Sequence, residues 1–253
     1  MSEKVWYFAY GSNMSTAKFT GDRGIQPLAK IPVVVPGWVL VMSVPGLPYA
    51  EPAFGAVEAK EEKEDKCGAN SNSRPDVQGV LYLITHRQYI QVTASEGGGT
   101  AYDAAQITAV PLLDADGRRF GSRIKALTLV AALTRYPRGR GSLRYMTLVL
   151  EGAKEAGLSE KYQDYLARQP HYQVPERGRA AVGARFFVAI FGPVMSGLEV
   201  LTKRTIGSDG LAPWWVIVLV RWVVLFLWLA HDYVFAPVFG RGDGLYGREV
   251  LEP

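Results

Sequence analysis

A short polar turn near the N-terminus carries residues that could bind an anion. The apolar run 5–9 is typical of a buried β-strand, and it stops at the segment 10–14, Tyr-Gly-Ser-Asn-Met. Glycine admits backbone angles that other residues avoid, and Ser and Asn side chains bond to nearby backbone groups. Such a turn can direct several N–H donors outward and form a nest for an oxyanion or a carboxylate. The alternative is a purely structural turn, because these residue types are common in turns.

A glutamate before a run of glycines could do proton chemistry. Glu96 lies between an apolar segment and the glycines 97–99, so the backbone beside it can come close to a ligand. A carboxylate in that setting suits general acid/base catalysis. The alternative is an exposed surface glutamate, which is the usual state of this residue type. Glu51 is a second acidic candidate that could hold a substrate ammonium, with an exposed loop position as its alternative.

Composition excludes several classes of function. The chain has 253 residues and a formal net charge of +4, and its basic residues form no stripe with interleaved aromatics, so nucleic-acid binding is not expected. Cys67 is the single cysteine, which allows no disulfide within the chain and suits a reducing compartment. A catalytic thiol is the less favoured interpretation of Cys67, because its neighbours are typical of a polar loop. The N-terminal residues Met-Ser-Glu-Lys show no secretory signal.

The sequence predicts neither a metal nor a cofactor. The three histidines, His86, His171 and His231, lack the spacing of metal ligands. The glycines 97–99 lack the strand and helix context and the lysine of a phosphate-binding loop. We therefore expect a cofactor-independent, cytoplasmic protein, with attachment to an intracellular membrane as an open alternative.

The order of elements predicts an α+β domain. Strand patterns dominate the first 135 residues, helical patterns follow, and the charged stretch 58–76 is typical of a solvated loop. The predicted elements are strands over 5–9, 79–84 and 102–110, two strand-like runs within 121–134, a short helix over 85–90 capped by Thr85, and helices over 142–157 and 159–169.

The C-terminal extension, residues 171–253, has a different character. An apolar stretch at 186–191 is interrupted by Gly-Pro, and the run 214–230 holds seventeen residues with Arg221 as its only charge. A hydrophobic helix is predicted near 213–239. As a helix the run 214–230 would span about 26 Å, slightly less than a bilayer core of about 30 Å. It could associate with a membrane, or pack on the rest of the chain or on another subunit with Arg221 paired to a carboxylate.

Several motifs in the right order resemble the γ-glutamylcyclotransferase family. They are the turn 8–14, the strand 79–82, the segment 95–97 followed by Tyr102, and the helical pair 145–163. The resemblance covers roughly residues 5–170, which predicts a catalytic domain over 1–170 and an extension over 171–253 without counterpart in compact members. Within the family, the chain is most similar to fungal members of gliotoxin-type epidithiodiketopiperazine pathways.

The resemblance implies a small mixed β-barrel or sheet core with peripheral helices, and a specific reaction. The α-amine of a γ-glutamyl amide attacks its own γ-carbonyl and releases 5-oxoproline, so no enzyme nucleophile is required. Glu96 would be the general acid/base. The substrate-binding residues would be Tyr10, Gly11, Ser12, Asn13 and Tyr102, with core packing as the alternative for Tyr102.

The resemblance also suggests a substrate class. The natural substrate would be a γ-glutamyl group on a glutathione-derived adduct of a fungal secondary metabolite, and the 58–76 loop and the C-terminal extension could widen the entrance for a bulky leaving side. The alternative is a non-catalytic binding or scaffold protein of the same fold. A membrane tether is compatible with either.

Overall fold

A closed five-stranded β-barrel forms the centre of the protein, in a computed structural model that describes residues 3–60 and 74–245. The barrel order is β1-β5-β2-β6-β7. Sequential neighbours in this order pair antiparallel, and a parallel contact between β1 and β7 closes the barrel. The strands are β1 (Lys4–Ala9), β2 (Ala29–Val35), β3 (Trp38–Leu47), β4 (Glu51–Ala59), β5 (Val77–Thr85), β6 (Tyr102–Pro111) and β7 (Ile124–Ala131).

Strands β3 and β4 form a separate antiparallel hairpin beside the barrel. The pairing register shifts between Val41 and Val44, which marks a β-bulge, and bulges bend and twist a strand. The buried side chains Val39, Val41, Val44 and Ala56 pack against barrel residues that include Tyr102. The hairpin is therefore held over one side of the barrel, next to the start of β6.

The described residues form six helices of seven or more residues each. They are α1 (His86–Ser95), α2 (Asp114–Phe120), α3 (Leu143–Glu155), α4 (Glu160–Ala167), α5 (Gly178–Thr205) and α6 (Trp214–Phe239), the last with a π-helical turn at His231–Phe235. Thr85 caps α1 in a capping box with Gln88, and Ser142 and Ser159 cap α3 and α4. These caps satisfy N–H groups that have no partner inside the helix. The α+β class is confirmed, and α2 is a helix that the sequence patterns did not predict.

One element prediction was wrong. The stretch 121–134 forms one strand, β7, instead of two, because Gly121 has a φ of 104° and belongs to the turn after α2. The Gly192-Pro193 pair interrupts the apolar run in the sequence but not the helix, since α5 runs through Pro193. An internal proline costs about 3 kcal/mol, but buried side chains on both sides of it, Phe191 and Thr202, hold the two halves in one helix.

Helices α5 and α6 share a second apolar core with the β3–β4 turn. Phe187 and Leu227 are fully buried there together with Tyr49. The chain after α6 returns to the same turn, where the Tyr49 hydroxyl donates to the Gly240 carbonyl (2.5 Å) and the Tyr49 N–H to the Gly242 carbonyl (2.8 Å). The C-terminal helices are thus packed on the rest of the protein along their inner side.

Candidate active site

One cavity of about 520 Å³ contains every residue that the sequence singled out as a site. Its lining includes Tyr10, Gly11, Ser12, Asn13, Glu96 and Tyr102. Residues from β1, the turn after it, the end of α1 and the start of β6 therefore meet in space. The volume lies in the range of small-molecule sites, which is about 300–1,000 Å³.

A hydrogen-bonded triad fixes the carboxylate of Glu96. The Asn13 Nδ2 donates to Glu96 Oε1 at 2.8 Å, and Arg23 Nη2 donates to the same oxygen at 2.5 Å. Arg23 Nε also donates to Asn13 Oδ1 at 2.9 Å. The Glu96 side chain is 22% exposed and that of Arg23 is 16% exposed. Each member of the triad bonds to both others, so the carboxylate has one preferred orientation.

The second oxygen of Glu96 stays available to a ligand. Within residues 3–60 and 74–245, no group donates a hydrogen bond to Oε2, whereas Oε1 accepts two. An ionised carboxylate can accept at both oxygens. The site therefore presents one anchored oxygen and one oxygen that can take up or deliver a proton.

The backbone around Glu96 explains the three glycines that follow it. Glu96 is the C-terminal cap of α1, and its N–H donates to the Val92 carbonyl at 3.0 Å. Gly97, Gly98 and Gly99 then have φ values of 90°, 54° and 87°. This left-handed region is open to glycine and unfavourable for other residues. The chain can thereby leave α1 and enter β6 within a few residues, which places Glu96 at the cavity.

Two tyrosine hydroxyls form hydrogen bonds with the turn after β1. The Tyr82 hydroxyl donates to the Asn13 and Met14 carbonyls, each at 3.2 Å, and the Tyr7 hydroxyl accepts from Asn13 Nδ2 at 3.1 Å. Burial raises the pKa of the Tyr7 phenol, and the negative charge of Glu96 raises it further. Tyr7 is therefore a neutral phenol at physiological pH.

Gly11 is needed for the space that it leaves, and not for a backbone angle that only glycine adopts. Its φ is −116°, which lies outside the left-handed region. What glycine provides here is space, because an added Cβ would lie 3.0 Å from the Tyr145 hydroxyl. The turn itself is a 3₁₀ helix over Ser12–Met14. The first N–H groups of a helical turn have no partner within it, and Ser12 and Asn13, which begin this turn, line the cavity.

Gly152 brings α3 against the same turn. A Cβ at this position would lie 2.9 Å from the Ser15 nitrogen and 3.0 Å from the Met14 Cβ. Distances this short between non-bonded atoms require the backbone to move. The closeness of α3 to the turn therefore depends on the absence of a side chain at residue 152.

We expect Gly152→Ala to lower the free energy of unfolding by about 1–3 kcal/mol, because overpacking forces the turn and α3 apart. Chemical denaturation followed by tryptophan fluorescence measures the change. Gly117→Ala is the matched control, since a Cβ there meets nothing within 4 Å in helix α2. Alanine at that control position should be neutral or stabilising by about 0.5–1 kcal/mol. Equal effects of the two substitutions would contradict the close approach at Gly152.

Tyr10 and Tyr102 line the cavity but use their hydroxyls within the protein. The Tyr10 hydroxyl donates to the Leu129 carbonyl of β7 at 2.6 Å, and the Tyr102 hydroxyl donates to the Gly55 carbonyl of β4 at 3.0 Å. The Tyr145 hydroxyl accepts from the Gly55 N–H at 3.0 Å. Tyr102 and Tyr145 thus hold β4 at the cavity wall, and Tyr102 makes no hydrogen bond to Glu96 in the described residues.

The other candidates from the sequence fall into three positions. Glu51 lies at the cavity but is paired, because Arg144 Nε donates to it at 2.6 Å and the Ser142 hydroxyl donates to its other oxygen. Cys67 and most of the predicted 58–76 loop lie outside the described residues. His231 is fully buried at the end of the C-terminal core.

His231 belongs to an ion-pair cluster that anchors the end of the described chain. Its Nε2 accepts from the Gly242 N–H at 2.9 Å, and its Nδ1 lies 2.9 Å from Asp232. Burial raises the pKa of Asp232, but hydrogen bonds from His231 and Arg135 outweigh it and hold that pKa at about 2. His231, Asp232 and Asp243 are close enough to share a metal ion. Their ligand atoms are already bonded to protein groups, so the cluster is explained by its ion pairs.

The C-terminal helices complete the cavity, which the sequence motifs did not show. Met195 of α5 and Val220, Arg221 and Val224 of α6 line it. Arg221 Nε donates to the Thr100 carbonyl at 3.1 Å and its Nη2 to the Gly99 carbonyl at 2.9 Å, while the Asp103 carboxylate is 3.8 Å away. Helix α6 therefore packs on the rest of the chain, which is the alternative to membrane association that the sequence left open.

A further contact ties the extension to the glycine loop. The Ala212 N–H donates to the Gly98 carbonyl at 2.9 Å. Together with Arg221, it fixes the carbonyls of Gly98, Gly99 and Thr100, two to four residues after Glu96. The loop that carries the candidate acid is therefore clamped by residues from the last seventy of the chain.

Sequence reasoning missed Arg23, Tyr7, Tyr145 and the cavity-lining residues of α5 and α6. Tyr145 stands in the family motifs and Tyr7 directly precedes the turn 8–14, but both look like core aromatics. Arg23 had no local pattern, since its partner Glu96 is 73 residues further along. Arg221 was expected to pair with a carboxylate if the helix packs on the chain, but its hydrogen bonds to the Gly99 and Thr100 carbonyls were not predicted.

Comparison with solved structures defines the class of protein. The chain superposes on a structure named gamma-glutamyl cyclotransferase with a TM-score of 0.52 and 16% identity, covering 72% of this chain and 99% of the other. An uncharacterized protein from Homo sapiens gives the same TM-score at 17% identity, with the same coverage. The protein therefore has the γ-glutamyl cyclotransferase fold.

Sequence comparison gives the family. The gamma-glutamyl cyclotransferase aclK of Aspergillus oryzae is 38% identical, over 96% of this chain and 91% of the relative. The gamma-glutamyl cyclotransferase gliK of Aspergillus fumigatus is 37% identical, over 95% and 89%. A family model described as the AclK C-terminal domain matches residues 177–238, which contain α5 and most of α6. The chain belongs to the γ-glutamyl cyclotransferase family, as the motifs predicted, and its similarity to these two fungal members extends over 95–96% of its length.

Proposed function

We propose that this protein is a cofactor-independent enzyme that releases 5-oxoproline from γ-glutamyl amides. The observation that carries the proposal is the state of Glu96, with Oε1 held by Asn13 and Arg23 and Oε2 available at the cavity. A general acid/base needs a fixed position and one free oxygen within reach of the reacting nitrogen.

The reaction follows from the geometry of the substrate. The α-amine of the γ-glutamyl group attacks the γ-carbonyl carbon, a C–N bond forms in a five-membered ring, and the original amide C–N bond breaks. Because the nucleophile is tethered, proximity supplies much of the rate. Glu96 takes the proton that the attacking nitrogen loses and returns it to the leaving amine. Atoms balance without a water molecule or a cofactor.

The turn after β1 would bind the γ-glutamyl head. Backbone N–H groups at Ser12 and Asn13 can donate to an oxygen that becomes negative as the amine attacks. Donors that are oriented in advance toward such an oxyanion are an effective source of rate acceleration. Tyr82 and Gly152 fix this turn from two sides, so the donors need little reorganisation.

The substrate would be larger than a simple γ-glutamyl amino acid. A γ-glutamyl head fills only part of about 520 Å³, and the rest of the lining includes the apolar side chains of Leu47, Met195, Val220 and Val224. Apolar walls favour an apolar leaving side. We therefore propose a glutathione-derived adduct of a fungal secondary metabolite as the natural substrate, which is supported by relatives that bear the names aclK and gliK.

Product analysis tests both parts. Purified protein is incubated with a γ-glutamyl dipeptide and, separately, with glutathione S-conjugates of increasing apolar size, and 5-oxoproline and the released amine are quantified by mass spectrometry. Equal amounts of the two products are expected, with kcat/KM rising with the size of the conjugate. Saturable binding without any product would support the non-catalytic binder. Efficient turnover of small dipeptides but not of conjugates would contradict the substrate proposal alone.

We expect Arg23→Leu to lower kcat/KM by about 10²-fold, since a displacement of a catalytic group by about 1 Å can cost that much. The substitution removes the donor to Glu96 Oε1 and the bond to Asn13 together. Initial rates of 5-oxoproline formation measure the effect. Arg87→Leu on the exposed side of α1 is the control and should retain the wild-type rate. An unchanged rate for Arg23→Leu would show that the triad does not orient the acid.

A further inference from the structure

The outward side of α6 is a largely exposed apolar surface, on which the Phe226 ring lies 6.4 Å from that of Phe191 in α5. We call it the outer stripe, and it consists of Trp214, Val218, Trp222, Phe226, Leu229 and Tyr233, at intervals of three or four residues. Trp214 is 77% exposed, Trp222 68%, Phe226 62% and Tyr233 78%. Between Trp214 and Phe239 the charged residues are Arg221 and Asp232, and both bond to protein groups on the inner side. Contiguous apolar patches of this kind mark interaction surfaces.

Helix α5 continues this surface with a second apolar row. Val182, Phe186, Ile190 and Val194 follow one another at intervals of four residues and are between 44% and 58% exposed. Successive residues at this spacing lie on one face of a helix. The Phe186 ring of this row stacks on that of Phe239 at the end of α6, with centroids 6.5 Å apart, so the two exposed apolar rows adjoin, while the inner sides of the helices form the C-terminal core and the cavity wall.

The contacts of α6 decide how it can meet a membrane. Both α5 and α6 are long and apolar enough to span a bilayer by length and composition alone. However, Arg221, near the middle of the apolar run, donates to the Gly99 and Thr100 carbonyls, and Trp228 Nε1 donates to the Gly46 carbonyl at 3.0 Å. A spanning helix would have to leave these partners and carry a bare guanidinium into hydrocarbon, at a cost of about 2.5–3.5 kcal/mol on insertion scales. The packed arrangement favours a helix that lies in the interface.

Charge and aromatic content indicate what covers the face. On α5 the exposed charged side chains are Arg179, Arg185, Lys203 and Arg204 against Glu199. Basic residues around an apolar stripe attract anionic lipid headgroups, and Trp and Tyr favour the boundary between headgroups and acyl chains. Arg185 lies directly beside Phe186 in the apolar row, where a long side chain can reach outward to the headgroups.

We propose that the outer stripe of α6 and the apolar row of α5 dock this protein on the surface of an anionic lipid bilayer, with both helices in the interface and neither crossing it. Helix α6 then has a different environment on each of its two sides. Its outer side contacts lipid, and its inner side contributes Val220, Arg221 and Val224 to the cavity. This attachment is independent of the reaction proposed for Glu96.

Vesicle flotation of the full chain tests the proposal. We expect the protein to float with vesicles that contain phosphatidylserine, to float less with phosphatidylcholine alone, and to lose the difference at high salt, because headgroup attraction is screened. The double variant Trp222→Glu/Phe226→Glu should bind vesicles at least about tenfold more weakly, since it places two negative charges in the face that contacts lipid. Leu113→Glu is the matched control, because Leu113 is 55% exposed and lies in the loop between β6 and α2. Circular dichroism and thermal unfolding verify that each variant is folded.

Four results would overturn the proposal. The first is wild-type protein that floats with neither vesicle, and the second is a double variant that floats as well as the wild type. The third is a dimer by light scattering that Trp222→Glu/Phe226→Glu dissociates without any flotation of the wild type, which would assign the face to a second copy of the chain. Resistance of vesicle-bound protein to carbonate extraction would instead indicate a spanning helix and would also refute interfacial docking.

Discussion

Replacing Glu96 by Gln is expected to lower kcat for 5-oxoproline release by about 10²–10⁴-fold, the usual contribution of a positioned acid or base. Glutamine keeps the size and the oxygen that accepts from Asn13 and Arg23, but it cannot accept the proton from the attacking amine. Because the geometry of the binding turn is unchanged, KM should change little. Steady-state kinetics with 5-oxoproline detection separate the two parameters.

Glu51→Gln is the informative comparison for that experiment. Glu51 lies at the same cavity, and its oxygens are already bonded to Arg144 and Ser142, so its replacement should act on KM or stability more than on kcat. Equal product from Glu96→Gln and the wild type would remove Glu96 from the mechanism. A larger loss of kcat in Glu51→Gln than in Glu96→Gln would transfer the role of acid to Glu51.

The second large effect is structural and concerns Phe187. This side chain is fully buried, with ring centroids 4.5 Å from Phe191, 4.9 Å from Phe235 and 5.3 Å from Tyr49. Phe187→Ala should therefore destabilise the protein by about 3–5 kcal/mol, through lost burial and the cavity left behind. Since these contacts join α5 to α6 and to the β3–β4 turn, activity should fall with stability as Arg221 loses its position.

Its neighbour supplies the control. Phe186 is 58% exposed, and Phe186→Ala should change the free energy of unfolding by no more than about 0.5 kcal/mol. Urea denaturation monitored by tryptophan fluorescence measures both variants. If the two substitutions cost the same, the C-terminal helices are not packed on the protein through the inner side of α5.

The features that could be predicted are those whose causes lie within a few residues. Thr85 caps α1 because the residue three positions later completes its capping box. The chain turns sharply after Glu96 because three successive glycines can adopt positive φ. The turn over 10–14 and Glu96 could be chosen as candidate site residues because their motifs stand in the order of a known family, and the relatives confirm that family.

The partners of these residues depended on packing between distant segments. Arg23 has no local pattern that distinguishes it from a surface arginine, and only the barrel brings it to Glu96. Pro193 is a helix breaker by its type, yet burial of residues on both sides keeps α5 continuous. Gly11 seemed to be needed for its backbone angles, whereas it is needed for the space that Tyr145 occupies.

The sequence by itself determined the family, the α+β class, the candidate acid Glu96 and the apolar character of the last helices. Only the tertiary structure decided what those helices do with that character: α6 faces the cavity and holds the loop after Glu96 through Arg221, and its other side stays outside. Hydrophobicity along a chain states how much apolar surface must be covered, because burial free energy depends on area. It does not state which surface covers it, since that depends on segments far away in sequence.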